Sequence, residues 1–81
     1  MKVLKERGET HGDWLSVAIT AQEIKQIIAA GDSYAEMCFD QREALDMIAT
    51  KIARIVNGGQ PQEIDHWHDI AGYATLAEQE I

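Results

Sequence analysis

The sequence predicts an all-α protein, a small antiparallel helical bundle of three main helices completed by oligomerisation. Three observations lead there. Apolar residues recur at helical spacing in three segments, glycine or proline breaks separate those segments, and no stretch alternates as a strand would. At 81 residues the chain forms one domain, 1–81, whose core would be thin, and self-association is a natural way to bury more apolar surface.

The first helix runs from about Trp14 to Ala30, with Leu15, Ala18, Ile19, Ile24, Ile27 and Ile28 approximating an apolar face. Asp13 is placed to cap its start and Gly31 to stop it. Residues 2 to 7 and 33 to 39 are candidates for short helical turns. The second helix opens at Asp40, where Asp40-x-x-Glu43 forms a capping box, and ends at Asn57-Gly58. Its expected core face is Leu45, Ile48, Ala49, Ile52 and Ile55 or Val56. The third follows Pro61 and begins with acidic residues that suit the positive end of a helix. It is expected to bury Trp67, Ile70, Ala71, Ala74 and Ala77.

Composition narrows the function. The formal charge of −7 argues against direct binding to nucleic acid or an anionic membrane surface, because either would call for a basic patch. No apolar stretch approaches the roughly 20 residues that cross a bilayer. The lone Cys38 has no internal disulfide partner, and MKVLKERGETHGDW lacks the apolar run of a secretory signal. A cytoplasmic protein is expected, with Cys38 as a packing residue.

Carboxylates come in helical pairs. Asp65 and Asp69 are one turn apart, as are Glu43 and Asp46 at i and i+3, so each pair shares a side of its helix. Antiparallel packing across the NGGQP connection would turn all four toward a shared cleft able to hold Mg²⁺ through oxygen ligands and phosphates. Each pair has a structural reading too: Glu43 closes the capping box and Asp65 complements the helix dipole. Lys51 and Arg54 are suited to phosphates, or to the negative end of the second helix. His11 and Tyr73 are further candidate ligand contacts. His66 and His68, two apart on a helix, diverge too far to share one zinc ion. His66 is either a partner of Asp69 or a phosphate donor. Gly72 interrupts a helix at a cost of roughly 1 kcal/mol relative to alanine, which points to a close helix approach or to room for a flat ligand beside Tyr73.

The segments KERGETHGDW, QREALDMIATKIARIVNGG and DHWHDIAGYATLAE together resemble a small helical domain family of tailed phages and prophages, related to a phage domain associated with nucleotide modification. The pattern falls on Glu6, Arg7, Thr10, His11, Gly12, Asp13, Lys51, Arg54, Asp65, Asp69, Gly72 and Tyr73. A more distant similarity is to MazG-like all-α nucleoside triphosphate pyrophosphohydrolases. That resemblance implies helical dimers or tetramers with Mg²⁺ held by acidic pairs on adjacent helices. Those enzymes carry Glu-x-x-Glu and a later Glu-x-x-Asp, whereas this chain has Glu43-x-x-Asp46 and Asp65-x-x-x-Asp69; one residue of spacing turns a helical carboxylate by about 100°.

The expectation is an oligomeric helical protein, phage-encoded and acting in the infected host's cytoplasm, that binds a nucleotide-type phosphorylated ligand. It would do so by sequestration or by Mg²⁺-dependent hydrolysis. The competing expectation takes its motive from the acidity: an interaction module that inhibits a host or defence protein, as a nucleic-acid mimic.

Overall fold

The computed structural model describes residues 13–58 and 60–81. Helices α1 (Trp14–Ala29), α2 (Phe39–Val56) and α3 (Ile64–Gln79) make up the fold, with a single 3₁₀ turn, Tyr34–Glu36, between the first two. No strand occurs among the described residues. The all-α expectation is met. The proposed turn at residues 2 to 7 lies outside the described residues.

Helix α1 starts where the sequence places it. The Asp13 carboxylate accepts from the Ser16 backbone N–H at 3.0 Å and from the Ser16 hydroxyl at 2.8 Å. These bonds satisfy one orphan donor of the first turn and hold the Asp13 carboxyl below its usual value, the side-chain bond having the larger effect. The helix ends at Ala30, whose N–H reaches the carbonyls of Gln26 and Ile27. The left-handed glycine that stops a helix is found elsewhere, at Gly58 with φ of 91° after α2.

The expected capping box of α2 sits two residues too late. The helix begins at Phe39, Cys38 occupies the N-cap, and the Cys38 N–H donates to Gln41 Oε1 at 2.9 Å. A Cys-x-x-Gln pair therefore does the work assigned to Asp40 and Glu43. Glu43 is left without that structural duty. The turn before α2 is held by Arg42, which donates through Nη2 to the carbonyls of Tyr34 and Ala35 and lies 4.5 Å from the Tyr34 ring centroid.

Helix α2 is the middle element: α1 packs on it and α3 packs on it, without comparable packing between α1 and α3. Asn57 Nδ2 joins the end of α2 to α1 by donating to Thr20 Oγ1 at 2.9 Å and to the Ala53 carbonyl at 2.8 Å. Among the described residues the buried core is small: Val17, Ala21, Ala44, Ala49 and Ala53. Alanine rows allow neighbouring helices to approach closely, but four of the five side chains are single methyls.

The expected core faces need correction. On α1 the inward row is Val17, Ala21, Ile24 and Ile28, while Leu15, Ile19 and Ile27 are exposed. Of the α2 face only Ala49 is buried; Ile52 and Val56 are exposed. On α3 nothing is buried: Trp67, Ala71 and Ala74 are exposed, and Ile70 and Ala77 are half-buried. The physical reason is shared by all three helices. Each is apolar on more than one side, so periodicity alone does not select the side its neighbour covers.

Candidate functional site

Lys51 and Asp69 join the two helices that build the site. Lys51 Nζ lies 2.8 Å from Asp69 Oδ2, with the lysine mostly buried and the aspartate part-exposed. The bond from Lys51 is the main reason that the Asp69 carboxyl stays below its usual value; burial opposes it, and the charges of Lys51, His68 and His66 assist.

Around this pair lies a polar groove of about 370 Å³ lined by Lys51, Arg54, Gln60, Glu63, Asp65, His66 and Asp69. Its two cations come from the last turns of α2, and three of its acidic and imidazole groups from the first turns of α3. The antiparallel hairpin brings these ends together. The sequence-predicted residues Lys51, Arg54, Asp65 and Asp69 thus share one site. His66 joins them, and its i+3 relation to Asp69 was the available signal; Gln60 and Glu63 in the connection gave none.

The remaining candidates are elsewhere. Glu43 and Tyr73 line a neighbouring groove of about 360 Å³ along the α2–α3 seam, together with Asp40, Ala44, Met47 and Leu76. Asp46 lies on α2, half-buried, and lines neither groove; its carbonyl accepts from Thr50 Oγ1. His11 is outside the described residues. The four carboxylates of the shared-cleft expectation are therefore divided. Among the described residues no group of three or more His, Cys, Asp or Glu side chains is arranged to hold a metal ion. The polar groove itself holds the carboxylates of Glu63, Asp65 and Asp69.

Next to the polar groove is a shallow depression of about 510 Å³ lined by residues of α3, among them His68, Asp69, Gly72 and Tyr73. Asp69 borders both. A Cβ added at Gly72 would meet nothing within 4 Å, so the close helix approach expected there does not occur among the described residues. The glycine instead leaves open surface beside Tyr73. The histidines separate as their spacing requires, His66 into the polar groove and His68 into the depression.

Trp67 serves the site's frame. Its indole N–H donates to the Pro61 carbonyl at 2.8 Å, tying the first turns of α3 back onto the connection that carries Gln60 and Glu63. Half of its surface stays exposed. No helix among the described residues is long and apolar enough to cross a membrane.

Comparison with curated proteins and with solved structures finds no match. The family described as Domain of unknown function (DUF6378) matches residues 2–81, and the chain belongs to it.

Proposed function

We propose that the protein binds a nucleotide-type phosphorylated ligand, with the phosphates in the polar groove and the flat base over Gly72 beside Tyr73. The observation that carries this reading is the convergence of Lys51, Arg54 and His66 on one groove that shares Asp69 with the open surface at Gly72. Guanidinium and ammonium donors match phosphate oxygens, and an aromatic edge beside a missing side chain suits a planar group.

The groove sets two cations against the three carboxylates of Glu63, Asp65 and Asp69. A polyphosphate entering alone meets net repulsion. A divalent cation on Asp65 and Asp69 removes it, since Mg²⁺ is commonly held by one or two carboxylates together with the ligand's own phosphates. Binding is thus Mg²⁺-dependent in this account, and ligand entry loosens the Lys51–Asp69 pair so that lysine and aspartate take up phosphate and metal. Sequestration requires nothing further. Hydrolysis of a phosphoanhydride would in addition need a water activated near the metal.

A thermal-shift panel of (d)NTPs, nucleoside monophosphates and pyrophosphate, with and without Mg²⁺, tests the reading, because a ligand that binds the folded state raises apparent stability. Chromatography of the same mixtures reads turnover. A shift without product identifies sequestration, a shift with pyrophosphate released identifies hydrolysis, and the absence of any shift removes the proposal. The setting proposed with this function is the cytoplasm of a phage-infected bacterium.

A further inference from the structure

The groove of about 360 Å³ along the α2–α3 seam shares two of its walls, Tyr73 and Leu76, with the depression at Gly72. A base laid beside Tyr73 therefore turns one edge toward the seam. Two other walls of the seam groove, Asp40 and Glu43, are carboxylates, while Ala44 and Met47 are apolar. An ionised carboxylate accepts hydrogen bonds and donates none. Asp40 stands in the first turn of α2, where it complements the helix dipole. Glu43 has no such duty, because the capping box that its spacing suggests is closed by Gln41 instead.

The position of Glu43 along the helix also fits a nucleotide. It precedes Lys51 by eight residues, about 12 Å along α2, which is the span that an extended nucleotide puts between its phosphates and the far edge of its base. Charge fixes the direction. The seam groove repels phosphates, and Lys51 and Arg54 attract them at the other end.

Resting on the nucleotide site proposed above, we infer that Glu43 reads the base and selects guanine. A carboxylate presents two acceptor oxygens side by side and is best satisfied by two parallel donors. The Watson–Crick edge of guanine supplies them, as N1–H and the N2 amino group. On the same edge adenine and cytosine set a single amino group beside a ring nitrogen that accepts, so the second oxygen meets a lone pair. Uracil and thymine offer one N3–H between two carbonyls, and both carbonyls repel a carboxylate. Hypoxanthine keeps the N1–H of guanine and lacks its amino group. A polar group left facing the wrong partner is what makes such a site selective.

Titration calorimetry of the full chain with GTP, ITP, ATP and UTP in the presence of Mg²⁺ tests the assignment. GTP is expected to bind about tenfold more tightly than ITP or ATP, the order of one charge-assisted hydrogen bond, and UTP to bind most weakly. Glu43→Gln keeps the size of an exposed side chain and a similar helix propensity, and is expected to bring GTP down to the level of ATP. Equal affinities, or a preference for another of the four nucleotides, would overturn the inference and leave the phosphate site standing. A preference for GTP that Glu43→Gln retains would overturn it as well. Binding of no nucleotide at all would overturn both.

Discussion

Lys51 Nζ and Asp69 Oδ2 meet at 2.8 Å across the α2–α3 seam, and in the proposed function the lysine turns to phosphate and the aspartate to metal. Each residue compensates the other while the groove is empty. Replacing Lys51 by alanine should leave the helical signal nearly unchanged and lower the melting temperature only slightly, because the Asp69 side of the pair is open to solvent, which screens the interaction. Nucleotide affinity in the presence of Mg²⁺ should fall about tenfold, the order expected when one charge-assisted contact to phosphate is removed. Titration calorimetry reads this loss. An unchanged affinity would take Lys51 out of the site.

The same pair sets an acid limb. With its carboxyl held below the usual 3.8, chiefly by the bond from Lys51, folded Asp69 binds its proton less readily than the unfolded chain does. Its contribution to stability is full above 3.8 and is lost as the pH falls through the lowered value. Asp13, lowered by Ser16, acts in the same direction. Melting temperature measured from neutral pH into the acid range should therefore fall less steeply below 3.8 in Asp69→Asn than in wild type. Parallel curves would mean that Asp69 titrates as it does in the unfolded chain.

Two glycines should respond oppositely to alanine. Gly58 has φ of 91°, and an L residue held there costs roughly 1–2 kcal/mol, so Gly58→Ala should destabilise by about that much in urea unfolding. Gly72 is helical with open space where its Cβ would be. Gly72→Ala should stabilise by about 0.5–1 kcal/mol. In ligand binding the added methyl should weaken nucleotides and spare pyrophosphate, since only the base is placed over that position. A stabilised variant with unaltered nucleotide affinity would put the base elsewhere.

Core packing gives a further check. Ala53 has no exposed surface and stands where α1 crosses α2, next to the Asn57–Thr20 bond. Ala53→Leu should cost roughly 1–3 kcal/mol through overpacking. Asn57→Ala should cost about 0.5–1.5 kcal/mol for the lost bridge to α1. Chemical denaturation measures both, and a neutral Ala53→Leu would mean that α1 is not seated against α2 at that level.

The helices and their breaks were legible because Asp13, the Asn57-Gly58 pair and Pro61 act locally, through caps and backbone conformations that sequence spacing exposes. The side each helix buries was not. Leu15 and Ile19 have the same chemistry as Ile24 and Ile28, and only the position of α2 distinguishes them. The capping box failed for a related reason: Asp40-x-x-Glu43 and Cys38-x-x-Gln41 overlap, and the less common pair fits the geometry. In the site, Lys51, Arg54, Asp65 and Asp69 were found from helix ends that an antiparallel hairpin must bring together. Glu43 is separated from them along α2, eight residues or about 12 Å before Lys51, and Asp46 by rotation around the helix, which spacing within one helix does not fix relative to its neighbour. His66 was set apart from His68 by its i+3 relation to Asp69.

Charge also separates the ligand reading from the acidic-interaction reading. Reversal of exposed acidic residues remote from the groove, such as Glu23 and Glu80, should leave nucleotide binding within a factor of about two, because their fields are screened beyond roughly 10 Å at moderate salt. A protein partner attracted by overall acidity would be lost with them.

The most direct measurement titrates the full chain with a (d)NTP and Mg²⁺ by calorimetry, beside Lys51→Ala and Arg54→Ala, singly and combined. The account predicts saturable binding by the wild type that weakens in each single variant, disappears in the double variant and requires Mg²⁺. Absence of binding to every nucleotide tried, or binding that the double variant retains in full, would contradict it.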